Sequence, residues 1–375
     1  MTRLRIASAR VLPIRLELAQ PLATARAEIR ERRGFLLELC DASGARGSGE
    51  ALPLPAFAGE DRAACERALV AGARALLAAP ESPLAWLLER AARAGKQAPV
   101  AGAALDVALH DLAARRRDLP LAALLAPAPL ARIPLCALVA GADRGSLLRA
   151  ARAAVAAGFG CLKLKLGARP PGRDLARVES LRAALGPGVA LRLDANGAWS
   201  EAQALAAVAR LAGCGIELLE QPVAAEDTAA LARVARAAPF PIAADEALAL
   251  PGASDRLLGE DRVGALVLKL PVLGGLRPAL ALAERARRAG VAVVVTSFLD
   301  SSLGQLAAAA LAAALGAGAH ASGLATSALL RGDLCRAPGI ERGELLLPRG
   351  AGLGAEPEPR ALAALACGPA LELAR

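Results

Sequence analysis

The sequence predicts an α/β fold, a (β/α)7β TIM-like barrel with an N-terminal α+β capping domain, and three observations point to it. Between about residues 133 and 324, short apolar runs alternate with segments of helical period, one strand and one crossover helix at a time. Three of those runs end in an acid: Asp194 in LRLDANG, Glu220 in IELLEQP and Asp245 in PIAADEA. A lysine pair, Lys163 and Lys165, ends the run before them, and Lys269 ends the run after them. Glu220 follows Asp194 by 26 residues and Asp245 follows Glu220 by 25, so the acids fall at corresponding ends of successive parallel strands. A closed barrel brings such ends to one rim.

Residues 1 to 128 read as the capping domain. MTRLRIASARVLPIRLEL alternates as a strand, ATARAEIRERRG reads as a charged loop, and GFLLELCDASGARGSGEA reads as a strand entering a Gly-rich turn. From residue 60 to 126 the period becomes helical, as in EDRAACERALVAGARALLAA and APVAGAALDVALHDLAARRR. The Pro-rich hinge LLAPAPLARIP leads into the barrel, residues 129 to 340. Its strands are expected at about 133–139, 160–166, 189–194, 216–220, 241–245, 265–270 and 291–297, with a last short one near His320 to Leu324. Residues 341–375, polar and rich in Gly and Pro, are expected to return to the capping domain.

Composition narrows the function. A chain of 375 residues that is 55% hydrophobic but only 2% aromatic, without tyrosine, must build its core from small aliphatic side chains in many helices. The net charge of +9 does not imply nucleic acid, because the arginines are dispersed along helices and few aromatics are available to stack on bases. Seven cysteines, scattered and never in CxxC spacing, fit reduced thiols in the cytoplasm rather than a disulfide framework or a zinc site. The N-terminus lacks an apolar signal core, and the longest charge-free Ala/Leu stretch, Leu306 to Ala319, is too short to span a bilayer. The expectation is a cytoplasmic protein that acts on a small carboxylate, with no nucleic-acid or membrane partner; a homo-oligomer is left open.

Motifs for other chemistries are missing. No GxGxxG or P-loop spacing follows a strand, no GxSxG elbow is present, and with only His110 and His320 a histidine base is disfavoured. His110 lies on an apolar helical segment and reads as a packed histidine, and Trp199 reads as packing.

What remains is the set of lysines and acids. Alternate residues of a strand share a face, so Lys163 and Lys165 point the same way, as do Val267 and Lys269. Buried ammonium groups need compensating carboxylates, and desolvation with neighbouring cations lowers a lysine pKa toward that of a usable base. Three oxygen ligands without Cys or His suit a hard cation, Mg²⁺ first and Mn²⁺ as a substitute. Such an ion acidifies the carbon next to a bound carboxylate.

In this order, Lys163-Leu164-Lys165, Asp194-Ala195-Asn196, Glu220-Gln221-Pro222, Ala244-Asp245-Glu246 and Leu268-Lys269 resemble the enolase superfamily in its muconate-lactonizing subgroup. The resemblance spans nearly the whole chain. It implies that Asp194, Glu220 and Asp245 ligate Mg²⁺, that Lys165 is the base, that Lys163 lowers its pKa and that Lys269 faces the substrate from the other side. Asn196 and Glu246 are implied as supporting groups. GSGEALPLPAF, TSFLDSSLG and ASGLATSALL look most like the o-succinylbenzoate synthases, carbon–oxygen lyases of menaquinone biosynthesis. The implied reaction is syn elimination of water through an enediolate, with Lys165 taking the α-proton and returning it to the departing hydroxyl. The resemblance also places Arg26 near the ligand, with Ser297, Asp300 and Ser301 as substrate-binding or supporting residues. Ser301 and Asp300 have a simpler reading, as caps of a helix that starts near Ser302.

Alternatives stay open at this point. Both lysines needed for two-base chemistry are present, so a racemase of N-succinylamino acids, or another acyl-amino-acid or dipeptide epimerase, remains. HASGLATS, however, lacks the Asp-x-Asp with which dipeptide epimerases hold an ammonium. A Schiff-base aldolase leaves the three acids unexplained. A scaffold with a relic site has no motif in its favour.

Overall fold

The computed structural model describes residues 2–23, 28–316 and 320–375, so Arg26 lies outside the described residues. Residues Ile6–Ala23, Glu28–Asp41 and Arg46–Ala51 form an antiparallel meander, and Leu371–Ala374 adds a fourth strand along Ile6–Ala23. Opposed pairs such as Val11 with Leu37 and Leu12 with Leu36 explain why these strands read as almost continuously apolar. Ala9, Val11, Leu37 and Leu39 face the domain's own helices, whereas Leu12, Ile14, Leu16 and Leu36 pack with barrel residues.

The charged loop expected at ATARAEIRERRG is largely strand. From Glu28 onward it pairs with Ile6–Ala23, Arg32 lying opposite Leu16 and Arg33 opposite Arg15. Arg32 is 1% exposed, and its guanidinium donates to the carbonyls of Leu52 and Pro53. Cross-strand hydrogen bonding and those carbonyls override the loop-like composition.

Helices Arg62–Leu77, Leu84–Ala94 and Pro99–Arg116 cover the meander. Close approach of the last is possible because Gly49 has no side chain: a Cβ there would stand 2.1 Å from the carbonyl oxygen of Ala104. His110, on that helix, is buried with Nδ1 2.8 Å from the Asp106 carbonyl.

Seven parallel strands form the barrel wall in sequential order, Cys136–Val139, Cys161–Lys165, Ala190–Asp194, Ile216–Glu220, Ile242–Ala244, Ala265–Leu268 and Ala292–Val295. Among the described residues the eighth position is held by Ser322 and Gly323. Ser322 N donates to Pro134 O at 2.7 Å, and Gly323 N donates to Val295 O at 2.9 Å, joining first and last strands. Leu162, Leu164, Leu191 and Leu193 pack outward under the helices, while Leu218, Ala243, Ala265, Val267 and Val294 fill part of the interior. Among the described residues no helix is long and apolar enough to cross a membrane.

Buried acids of the capping domain join it to the barrel at helix starts. Asp106 Oδ1 accepts from Leu276 N at 2.7 Å, at the start of helix Leu276–Arg288. Glu50 accepts from Ser301 N at 3.1 Å and from the Ser301 hydroxyl, at the start of Ser302–Leu315. Each satisfies amide groups that a helix leaves free, in the favourable field of its N-terminus.

Candidate active site

Alternation along Cys161–Lys165 turns Leu162 and Leu164 out and Lys163 and Lys165 in, and the neighbouring strands end in Asp194 and Glu220 at matched register. Lys163 Nζ lies 2.8 Å from Asp194 Oδ2 and 2.7 Å from Glu220 Oε2. Lys165 Nζ donates to Asp194 Oδ2 at 2.9 Å and to Asn196 Oδ1 at 2.7 Å. Across the barrel, Lys269 Nζ holds both oxygens of Asp245, at 2.6 and 2.5 Å. Asn196 Nδ2 donates to Glu246 Oε1 at 3.0 Å, which ties the third strand end to the fifth.

These contacts bring together eight of the residues singled out in the sequence: Lys163, Lys165, Asp194, Asn196, Glu220, Asp245, Glu246 and Lys269. Ser297 lines the same cavity, about 160 Å³ in volume. Asp300 and Ser301 do not line it. The Asp300 carboxylate accepts from Phe298 N at 2.7 Å and so shapes the wall from behind, while Ser301 caps its helix through Leu303 N at 3.1 Å and meets Glu50. Arg26 is not among the described residues.

Four acids face three lysines here, and the imbalance sets the protonation pattern. Burial disfavours ionisation of Asp194, but Lys163 and Lys165 outweigh it and hold the carboxyl well below the usual range. Burial, then the Asp194 charge, pushes Glu220 up to about 7. Burial raises Asp245 and Glu246 too. Burial also opposes charge on Lys163 and Lys269, yet the facing acids win and hold both ammonium groups above the ordinary lysine range. The lowering expected from burial is therefore reversed for these two lysines. Several acids face each of these two ammonium groups, so Lys163 and Lys269 stay charged, while Glu220, buried beside the charge of Asp194, is pushed up.

The donor chemistry fits a hard divalent cation. Asp194, Glu220, Asp245 and Glu246 supply only oxygen, and Glu220 Oε1 and Glu246 Oε2 are buried without a hydrogen-bond partner. As arranged, no three His, Cys, Asp or Glu side chains among the described residues close on one point. Lys163 Nζ stands between Asp194 and Glu220, and Lys269 Nζ covers Asp245, so the positive charge the acids require is supplied by ammonium groups.

Several contributors escaped the sequence reading. Gln221, in the left-handed region at φ 37°, turns its Oε1 to accept from Asp245 N at 3.0 Å and Ala247 N at 3.1 Å, which fixes the fifth strand end. Its place inside EQP was the signal available. Phe57, from the capping domain, lays its ring 4.2 Å from Lys269 Nζ and packs edge-on against Phe298, centroids 5.2 Å apart. The Arg32 guanidinium lies over the Phe298 ring, 5.2 Å from its centroid. The hydroxyls of Thr296 and Thr326, both on the cavity wall, are buried without partners. Leu22, Ile29, Leu54, Leu138 and Leu329 make the rest of that wall apolar.

Relatives share this architecture. The model of the enolase C-terminal domain-like family matches residues 146–361, and that of the mandelate racemase / muconate lactonizing enzyme N-terminal domain matches residues 6–126. A chloromuconate cycloisomerase of Pseudomonas putida is 35% identical over 278 residues, 74% of this chain and 74% of its own. An o-succinylbenzoate synthase of Thermobifida fusca (strain YX) is 41% identical over 191 residues, 50% of this chain and 59% of its own. The crystal structure of a dipeptide epimerase from Cytophaga hutchinsonii, complexed with Mg and dipeptide D-Ala-L-Val, matches at a TM-score of 0.88 with 25% identity, covering 98% of this chain and 99% of that one. With both family domains in their places and the acids and lysines gathered at the barrel mouth between them, the chain belongs to the enolase superfamily, on its mandelate racemase and muconate-lactonizing side.

Proposed function

We propose that this enzyme removes the proton α to the carboxylate of a small acid and eliminates a β-hydroxyl as water, the reaction of an o-succinylbenzoate synthase. The observation that carries the reading is the placement of Lys165 at the end of the second strand and Lys269 just past the end of the sixth, on opposite sides of one acidic floor. The likeness to the Thermobifida enzyme supports the choice of substrate. The domain division that serves this function is 1–128, 129–340 and 341–375.

Asp194, Glu220 and Asp245 would hold Mg²⁺, with Mn²⁺ as a substitute, and Asn196 and Glu246 would steady them. The ion, when bound, supplies the charge that acidifies the substrate's α-carbon. Lys165 Nζ takes the α-proton; the carbon–oxygen bond then breaks, and the same Nζ gives that proton to the leaving hydroxyl, so one water departs. Lys163 keeps a second positive charge beside Lys165. Lys269, fixed by Asp245 and the Phe57 ring, offsets negative charge that develops on the opposite face. Thr296 and Ser297 can donate to polar substituents of the substrate, while the leucine wall takes its apolar part. The 321–325 segment, ASGLA, carries no acid for an ammonium group, which favours substrates without one.

A second reading, cycloisomerisation of a muconate, is favoured by the longer match to the Pseudomonas putida relative. Racemisation of N-succinylamino acids uses the same lysines. The deciding experiment follows ultraviolet absorbance with the cyclohexadiene substrate of o-succinylbenzoate synthase and with a muconate. It also reads solvent deuterium entering N-succinylamino acids. Dehydration that survives exhaustive chelation, or a fully active Lys165→Ala variant, would sink the proposal.

A further inference from the structure

The strand that carries Lys163 and Lys165 begins with Cys161, whose thiol shares their inward face. The neighbouring strand begins with Cys136, paired in register with Cys161. The two sulfurs lie 3.0 Å apart, with Cys136 only 5% and Cys161 only 4% exposed. Cys136, Leu138 and Arg192 line the mouth cavity, so a small solute that enters the site can meet Cys136, with Cys161 directly behind it.

The surroundings are polar where barrel interiors are ordinarily filled by branched aliphatic side chains. Arg192 Nε donates to Glu217 Oε2 at 2.7 Å, the other oxygen of Glu217 lies 2.9 Å from His320 Nδ1, and Glu217 Oε2 is 3.5 Å from Cys161 Sγ. A register shift between Ile216 and Leu218 accompanies the inward turn of Glu217. Among the described residues these groups do not close into a metal site. The Cys161 thiol donates toward Cys136 and, against the effect of burial and with help from Arg192 and Lys163, draws Cys136 below the usual thiol range. The same hydrogen bond, with burial, pushes Cys161 up. Such an asymmetry suits an attacking and a resolving thiol.

We propose that Cys136 and Cys161 form an oxidisable dithiol in the barrel floor, a modification site for a small hydroperoxide that arrives through the mouth cavity. The Cys136 sulfur attacks one peroxide oxygen, the O–O bond breaks, and the departing hydroxide takes a proton to become water. Cys161 then attacks the Cys136 sulfenic sulfur, the S–O bond breaks, and a second water leaves. Two thiols have lost two electrons, and for hydrogen peroxide two waters are formed. The bond ties together the first residues of two strands, and Lys163 stands one alternation further along, so the lysines are displaced from the acids. That consequence rests on the proposed role of Lys165; the modification itself does not.

The test treats the reduced full chain with hydrogen peroxide, blocks free thiols with a maleimide, and maps peptides by mass spectrometry. The expected result is a Cys136–Cys161 crosslink, reversed by a dithiol. Turnover should fall by about tenfold or more with the crosslink and return on reduction, as expected when reacting groups shift by about an ångström. Both thiols remaining alkylatable after the exposed Cys367 has been oxidised overturns the proposal. A crosslink without loss of turnover overturns the coupling to the lysines. Cys161→Ala should keep basal activity and lose peroxide sensitivity; should that variant fail to fold, peptide mapping of the unmodified chain decides alone.

Discussion

The barrel mouth and the seam between cap and barrel both bury several acids, and they use them in opposite ways. At the seam, Asp106 and Glu50 accept from amides at the starts of two barrel helices, and behind it Asp111 ties the cap to its own strand and to the C-terminal segment, accepting from Ser48 N and Leu353 N at 2.9 and 2.7 Å. Those partners are backbone groups in fixed places. At the mouth, Asp194, Glu220 and Asp245 face three long lysines, and oxygens of Glu220 and Glu246 have no partner. The contrast teaches that satisfied buried acids hold domains together, whereas under-satisfied ones are kept ready for a ligand.

Exchanges that separate the two regions sharpen or break this contrast. Lys165→Ala should have the largest effect, lowering turnover by roughly a hundredfold to ten-thousandfold, because it removes the proton carrier. Its melting temperature should change little, and a variant that instead unfolds would make Lys165 a structural group. Next, Glu220→Gln should weaken Mg²⁺ binding by about tenfold to a hundredfold in calorimetry, since it removes charge from the oxygen left unpaired at the mouth. Unchanged affinity would remove Glu220 from the ligand set.

At the seam the same kind of change should be read in stability alone. Asp106→Ala should cost about 1–2 kcal/mol in urea unfolding, as for a lost helix cap, with Mg²⁺ affinity unchanged. A smaller effect concerns pH. Burial, then the nearby Asp300 charge, raises the Glu50 carboxyl well above its ordinary 4.5. The folded state therefore holds that proton more tightly than the unfolded chain. Its contribution to stability is fully present below 4.5 and is lost as pH rises above that value toward the raised folded pKa. Glu50→Gln should flatten this slope in melting temperatures recorded from pH 4 to pH 8. A slope that stays the same would assign it to other groups.

Much of the site was legible in the chain because strand geometry is simple. A two-residue alternation and a repeating strand–helix pitch are enough to place Lys163, Lys165, Asp194, Glu220, Asp245 and Lys269 at one rim before any contact is known. The barrel itself follows from the same pattern. The eighth strand was faint because, among the described residues, only Ser322 and Gly323 pair there, and two residues carry no periodicity. EIRERRG was misread as loop because its charges are accommodated by a partner strand and by distant carbonyls, which composition does not record.

What the sequence by itself determined is the order and spacing of the chemical groups, and hence the barrel, the acidic rim and the lysines around it. Only the tertiary structure decided which groups meet across domains, Phe57 on Lys269, Glu50 on Ser301 and Asp106 on Leu276, and, inside the barrel, that the sulfurs of Cys136 and Cys161 lie side by side. It also decided that the facing acids hold Lys163 and Lys269 charged, against the lowering that burial alone would impose. The physical reason is one of range. Local periodicity is written in neighbouring residues, whereas a pKa or a domain contact depends on charges and surfaces far apart in the chain that only folding brings within a few ångströms.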